Sequence, residues 1–242
     1  MTDDTAPAAG ADPAAASTTA STTTASIAAY WDAAAAAFDD EPDHGLRADR
    51  TRDAWARRLR SWVPYEGADV LDVGCGTGSL SLLLAEAGHR TTGVDLAPRM
   101  VEQARAKLAA AGLPGRFLVG DAAAPPTGGE RFDVLLSRHL VWTLPDPEEA
   151  LREWIRRLRP GGRLVLVEGR WREAGQSGAP YVPGAGSLPW DGGIGADALA
   201  QAVRPLVADL RVEQLSGDPD LWGGPVNDER YALTAEVPAA AG

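Results

Sequence analysis

"DVLDVGCGTGSLSLLLAEAGHRTTGVDLA", residues 69–97, decides the fold. A short apolar run ends in a glycine turn, a leucine- and alanine-rich stretch of helical spacing follows, and a second short run closes on Asp95. Two strands joined by one helix over so short a span must lie parallel, with the helix crossing back over the sheet. Gly74, Gly76 and Gly78 allow the chain to turn sharply and to approach a ligand closely. The glycines alone fit a plain strand–helix turn as well as a binding loop. Asp95 at the next strand end tips the reading, because a carboxylate there accepts hydrogen bonds from two ribose hydroxyls.

Outward from this unit the alternation continues. "APRMVEQARAKLAAAG" leads to "RFLVGD", then "FDVLLS", "DPEEALREWIRRLRPGG" and "RLVLVEG". Five strands with crossovers of this length predict a doubly wound parallel α/β sheet. Residues 170–195, rich in Gly, Pro and Trp, interrupt the pattern. A helix near 196–205 and the runs "LRVEQLS" and "RYALTAEV" predict a closing antiparallel pair. Towards the N-terminus, residues 1–25 contain no large apolar side chain except Met1, which predicts a disordered tail. Ser26 is placed to cap a helix through Phe38, "DDEPDHG" breaks it, and a second helix is expected from Arg47 to Trp62. The organisation expected is therefore a tail (1–25), a helical lid (26–64) and an α/β core (65–242) with a substrate-pocket insertion (170–195).

The composition narrows the function. A net charge of −11 over 242 residues is concentrated at the front, where residues 1–46 hold eight acids and no Lys or Arg. The rest is close to neutral and has no basic run, so no nucleic-acid partner is expected. One cysteine, Cys75, excludes an internal disulfide and suits a reducing interior. No apolar run is long enough to span a bilayer, and the first basic residue is Arg47, so neither a membrane partner nor a secretory signal is expected. The expected setting is the cytoplasm.

The loop reads G-x-G-x-G rather than the G-x-G-x-x-G of a dinucleotide site, and Asp72 stands two residues before its first glycine. A carboxylate there would repel a pyrophosphate but orient a cationic amino-acid moiety. Asp121, in "VGDAA", ends the third strand where an adenine amino group can donate to it. In this order and spacing "VLDVGCGTG", "GVDLA", "VGDAA", "FDVLLSRHLVW" and "LRPGGRLVLVE" resemble the class I S-adenosylmethionine-dependent methyltransferases. The resemblance implies a Rossmann-like sheet of seven strands in the order 3-2-1-4-5-7-6, the last antiparallel. It implies S-adenosyl-L-methionine as cofactor, with Asp72, Gly74, Cys75, Gly76 and Gly78 at the methionine part. Asp95 and Leu96 would hold the ribose, Asp121 and Ala122 the adenine, and Ser137 would line the pocket after strand four.

Methyl transfer from a sulfonium is an in-line displacement in which alignment supplies much of the acceleration. A hydroxyl nucleophile needs a base, whereas an amine does so less. His139, just past the fourth strand, is the candidate general base; a pocket-lining histidine and a packed, hydrogen-bonded one are its alternatives. Strand alternation predicts that the neighbouring Arg138 turns to the opposite face and is structural. Tyr30 is placed to cover the sulfonium, while Trp31, His44, Trp171, Tyr181 and Trp190 are candidates for an acceptor pocket. No metal-ligand spacing occurs, and no carboxylate follows strand four, so a metal-independent reaction is expected. The function expected is methyl transfer to O or N (C less so) of a small organic acceptor, in bacterial specialised metabolism. The alternatives are a cofactor-binding protein that catalyses a non-methylating step such as a cyclisation, and a NAD-type oxidoreductase.

Overall fold

The computed structural model describes residues 13–63, 65–172 and 180–239. Its strands are β1 (Asp69–Val73), β2 (Arg90–Asp95), β3 (Arg116–Val119), β4 (Phe132–Arg138), β5 (Leu158–Arg170), β6 (Asp209–Gln214) and β7 (Glu229–Glu236). They form one seven-stranded sheet in the order β3-β2-β1-β4-β5-β7-β6. β1 to β5 run parallel, and β7 is antiparallel to both β5 and β6, as the sequence predicts. The helices are α1 (Pro13–Phe38), α2 (Pro42–Gly45), α3 (Asp49–Trp62), α4 (Ser79–Glu86), α5 (Pro98–Ala110), α6 (Pro147–Arg156), α7 (Ala196–Val203) and α8 (Pro219–Trp222).

Both faces of the sheet are covered, which is why its central strands are nearly all apolar. Leu71, Val73, Leu135, Leu164, Leu166 and Leu233 face one core together with Trp154 of α6 and Leu199 of α7. Val70, Val134, Leu136, Val165 and Val167 face the other, with Trp55, Leu59 and Trp62 of α3, Leu80 and Leu84 of α4, and Trp222 of α8. The buried indoles find acceptors at carbonyls: Trp55 donates to Leu221, Trp154 to Ala122 and Trp222 to Leu215. Among the described residues no helix is long and apolar enough to cross a membrane.

The N-terminal region departs from expectation. Residues 13–25, predicted to be disordered, continue α1, and residues 1–12 lie outside the described residues. Alanine is the best helix former, and here tertiary contact supports the extension. Thr23 is buried against Gly184, and Ile27 packs with Val182, Ala185 and Leu188. Ser26 is accordingly not a cap; mid-helix, its hydroxyl donates back to the Thr22 carbonyl at 3.1 Å. α1 docks on α5 through Ala35, Ala97 and Met100, helped by Gln103 donating to Ala35 O and by the Arg99 amide donating to Asp32.

Candidate active site

A cavity of about 450 Å³ opens at the carboxyl ends of β1, β2 and β4, where ligands of doubly wound sheets bind. Thr24, Ile27, Trp31 and Phe38 of α1 and Asp43 and His44 of α2 line it from above. The spacing 24, 27, 31, 38 is one helical face. Tyr30 lies off that face. It is 41% exposed, stacks edge-on with Trp31 and Tyr181, and is not on the cavity wall, contrary to its sequence assignment.

One half of the cavity is built by the glycine loop and the ends of β1 to β3. Gly74, Gly76 and Gly78 all have positive φ, at 69°, 52° and 78°. A Cβ on Gly74 would stand 2.9 Å from the Leu140 side chain, and one on Gly78 would stand 2.8 Å from Ala104 Cβ, so the close passage requires glycine. Gly74 and Gly76 line the cavity, while Gly78 packs against α5 behind it. Asp95 accepts the Gly76 amide at 2.8 Å on one oxygen and the Ala97 amide at 2.9 Å on the other, which leaves further lone pairs on both for a ligand. Burial raises its pKa, and the backbone donors partly offset the rise. Asp72, Cys75, Leu96, Asp121 and Ala122 are also on the wall. The Asp72 carboxyl accepts from Ser81 at 2.7 Å, and burial pushes its pKa up to about 6. Burial likewise raises the Cys75 thiol, which is therefore no nucleophile. Asp121 uses one oxygen to receive the Ala123 amide at 2.8 Å. A glycine cradle flanked by a buried carboxylate, Asp72, and a half-buried one, Asp95, suits an adenosyl group joined to a cationic amino-acid part.

Lys107, the sole lysine, fixes this half to the helices above. Its ammonium donates to Thr77 at 2.9 Å and Ser79 at 2.7 Å and pairs with Asp39 at 2.9 Å, just beyond α1. Nothing in the local pattern of α5 marks it out.

The other half lies beyond β4. His139 follows β4 in a left-handed conformation, φ 55°, which histidine adopts more readily than most residues. Glu168, fully buried on β5, holds the turn by accepting the Leu140 and Val141 amides at 2.9 and 3.0 Å; burial raises its pKa to about 7. The His139 ring is edge-on to Trp171 at 4.7 Å and faces Trp222 at 5.9 Å, and its Nε2 is buried without a partner. Burial, then the charges of Arg138 and Arg230, depress its pKa well below 6.5, so the imidazole is neutral at neutral pH. His44 stacks on Phe38 at 4.2 Å, and its Nδ1 is also buried and unpartnered.

Arg138 and Ser137 exchange the roles that sequence gave them. Ser137 is fully buried, its hydroxyl has no partner, and it is not on the cavity wall. Arg138 lines the cavity, donates to the Asp43 carbonyl and lies 5.0 Å from the Trp55 ring. Alternation does persist, but the cavity-facing side of β4 is that of Leu136 and Arg138, the side packed on α3. Trp171 is on the wall, as are Trp31 and His44. Tyr181 instead backs the wall against Trp142 at 5.0 Å, and Trp190 packs on the sheet core near Ile194. Arg230 of β7 completes the wall, 4.5 Å from the Trp222 ring and paired with Asp228 at 2.8 Å. The fold also brings Asp43, His44 and His139 together, with ligand atoms within 4.8 Å of one another, a trio that sequence spacing does not announce. Two guanidiniums beside that trio disfavour a cation there.

With the geometry in view, comparison with known proteins is informative. A methyltransferase-domain family model matches residues 71–166. The Ubiquinone biosynthesis O-methyltransferase of Methylobacterium sp. (strain 4-46) is 32% identical over 191 residues, covering 73% of this chain and 76% of that protein. Among solved structures, the 4+2 cyclase SpnF superposes with a TM-score of 0.62 at 25% identity, covering 81% of this chain and 83% of that one. The N-methyltransferase NodS from Bradyrhizobium japonicum WM9, in complex with S-adenosyl-L-homocysteine, gives a TM-score of 0.62 at 17% identity, covering 86% of this chain and 98% of that one.

Proposed function

This chain belongs to the class I S-adenosylmethionine-dependent methyltransferases, and from that premise we propose that it methylates an oxygen or nitrogen atom of a small organic acceptor. S-adenosyl-L-methionine is the cofactor, and when bound it supplies a methyl group activated by the sulfonium. The observation that carries the proposal is one cavity joining the Asp95 and glycine-loop half to an aromatic half walled by Trp31, Phe38, Trp142 and Trp171. The first half orients the donor through Asp95, Asp121 and Asp72. The second excludes water around the acceptor and holds it in line, which is most of what the displacement asks of the protein. His139, neutral and with Nε2 unpartnered, is set to accept the nucleophile's hydrogen bond and, where that nucleophile is a hydroxyl, its proton. The aromatic half supports a planar acceptor, and the role we propose for the reaction is in bacterial specialised metabolism. The setting we propose is the cytoplasm.

The test is turnover with S-adenosyl-L-methionine and a panel of phenols and amines. The expected product is one methylene heavier than the acceptor, with S-adenosylhomocysteine formed in equal amount. The likeness to SpnF favours a second reading, in which the cofactor is bound and the acceptor is rearranged without methylation. A product of unchanged mass would establish that reading in place of the first.

A further inference from the structure

We propose that the acceptor is an anion, a flat apolar body bearing one carboxylate, whose charge is received by Arg138 with Arg230 and His139 beside it. The proposal rests on the methyl-transfer reading and names its substrate class. Arg138 is a half-buried cation on the cavity wall. Among the described residues it makes no ion pair; its hydrogen bond goes to the neutral Asp43 carbonyl. Asp43, Asp72 and Asp39 lie near enough to act on its charge, but none of them occupies its fork. A guanidinium has five N–H donors in a planar array that matches a carboxylate, and a partly desolvated one gains from a direct partner.

The surroundings select the kind of anion. Arg230 is already satisfied by Asp228 at 2.8 Å, and the Asp43 carboxylate stays 3.9 Å from both Arg230 and His44. With Asp43 so near, the site suits one negative charge rather than the two of a phosphate. Trp171 and Phe38 supply flat apolar walls. Position separates this site from the nucleoside half. Asp95 ends β2, whereas Arg138 lies on β4 and Arg230 on β7, so Arg138 is two strand spacings from Asp95, about 10 Å, and Arg230 four, about 19 Å. A further consequence concerns His139. Burial lowers its proton affinity most and the two guanidiniums lower it further, so an anion beside them offsets the guanidiniums' part when the acceptor arrives.

The experiment titrates the protein, saturated with S-adenosylhomocysteine, with benzoate and with its neutral counterpart benzamide, by calorimetry. Benzoate is expected to bind at least about tenfold more tightly, the difference between a charge-assisted and a neutral hydrogen-bonded pair. Arg138→Met should erase the preference while leaving 5′-methylthioadenosine, which lacks the amino-acid part that Asp72 serves, bound as in the parent. Arg138→Lys, which keeps the charge without the fork, should retain part of the preference and serves if the Met variant does not fold. Equal binding of benzoate and benzamide overturns the proposal. So does an Arg138→Met variant that loses S-adenosylhomocysteine but keeps 5′-methylthioadenosine, since the guanidinium then serves the cofactor's carboxylate. If the unaltered protein binds neither nucleoside, the methyl-transfer reading itself fails, which is a distinct result.

Discussion

The donor and acceptor halves of the cavity differ in how they are made. The donor half comes from the ends of three adjacent strands and their turns, and much of its geometry is main chain: three glycines of positive φ and amides bonded to Asp95. The acceptor half is made of side chains from distant segments: Phe38 of α1, His44 of α2, Arg138 of β4, His139 just after it, Trp171 after β5 and Arg230 of β7. A main-chain site tolerates little variation and serves one ligand, whereas a side-chain site can be rebuilt by substitution without disturbing the sheet. One fold can thereby keep a donor and change acceptors.

The comparison breaks first at Asp95. If the donor half is self-contained, Asp95→Ala should weaken S-adenosylhomocysteine binding by about 100-fold, the loss of two hydrogen bonds to a charged acceptor. Calorimetry reads the affinity, and the melting temperature should fall only modestly, since the Gly76 and Ala97 amides lose their acceptor while the sheet stays intact. An affinity within a factor of three of the parent would mean that the ribose is held elsewhere.

A smaller effect tests the border between the halves, where Asp72 stands close enough to Arg138 to feel its charge. Its folded pKa is raised from 3.8 to about 6 by burial, so the unliganded fold binds the proton more tightly than the unfolded chain does. The stability this contributes is fully present below the unfolded value and is lost as pH rises through about 6. A ligand ammonium prefers the ionised carboxylate, so affinity runs the other way. S-adenosylhomocysteine should bind about tenfold more weakly at pH 5 than at pH 7.5, while the unliganded protein loses no stability from this group. In Asp72→Asn that step in the affinity profile should vanish. A profile that keeps its step would assign the proton to another group.

How much of this was legible in the sequence follows the same division. The strand order, the loop and the acids at strand ends are local patterns, since the period-2 and period-3.6 signals and the glycines lie within one or two elements. The acceptor wall was legible only in part. Trp31, His44, His139 and Trp171 are on it, but the aromatic signal that marked them marked Tyr30, Tyr181 and Trp190 equally. Which side of a helix or loop meets the cavity depends on packing that sequence spacing does not encode. Arg230, Asp43 and Lys107 carried no local signal at all; a charged residue is normally solvated, and only long-range topology brings these inside. Glu168 did leave a trace, as the acid that closes the otherwise apolar run "RLVLVEG". α1 illustrates the opposite error, in which low complexity suggested disorder although alanine-rich sequence also propagates a helix once one end is docked.

The smallest expected effect is at Ser137, where the two readings of β4 disagree most directly. Read from sequence, its hydroxyl faces the cofactor, and Ser137→Ala should then cost several-fold in S-adenosylhomocysteine affinity. In the structure the residue pairs in register between Val73 of β1 and Leu166 of β5, its side chain is fully buried, and its hydroxyl has no partner. A buried, unpartnered hydroxyl is itself unfavourable, so removing it leaves a gap of only one oxygen atom and takes away a desolvated polar group. Ser137→Ala should therefore change nucleoside affinity by less than about twofold and leave the melting temperature equal or slightly higher. The adjacent Arg138→Met should meanwhile abolish the benzoate preference. If Ser137→Ala weakened the nucleoside and Arg138→Met left the benzoate preference intact, the cavity would lie on the other side of β4, and the division into donor and acceptor halves would have to be redrawn.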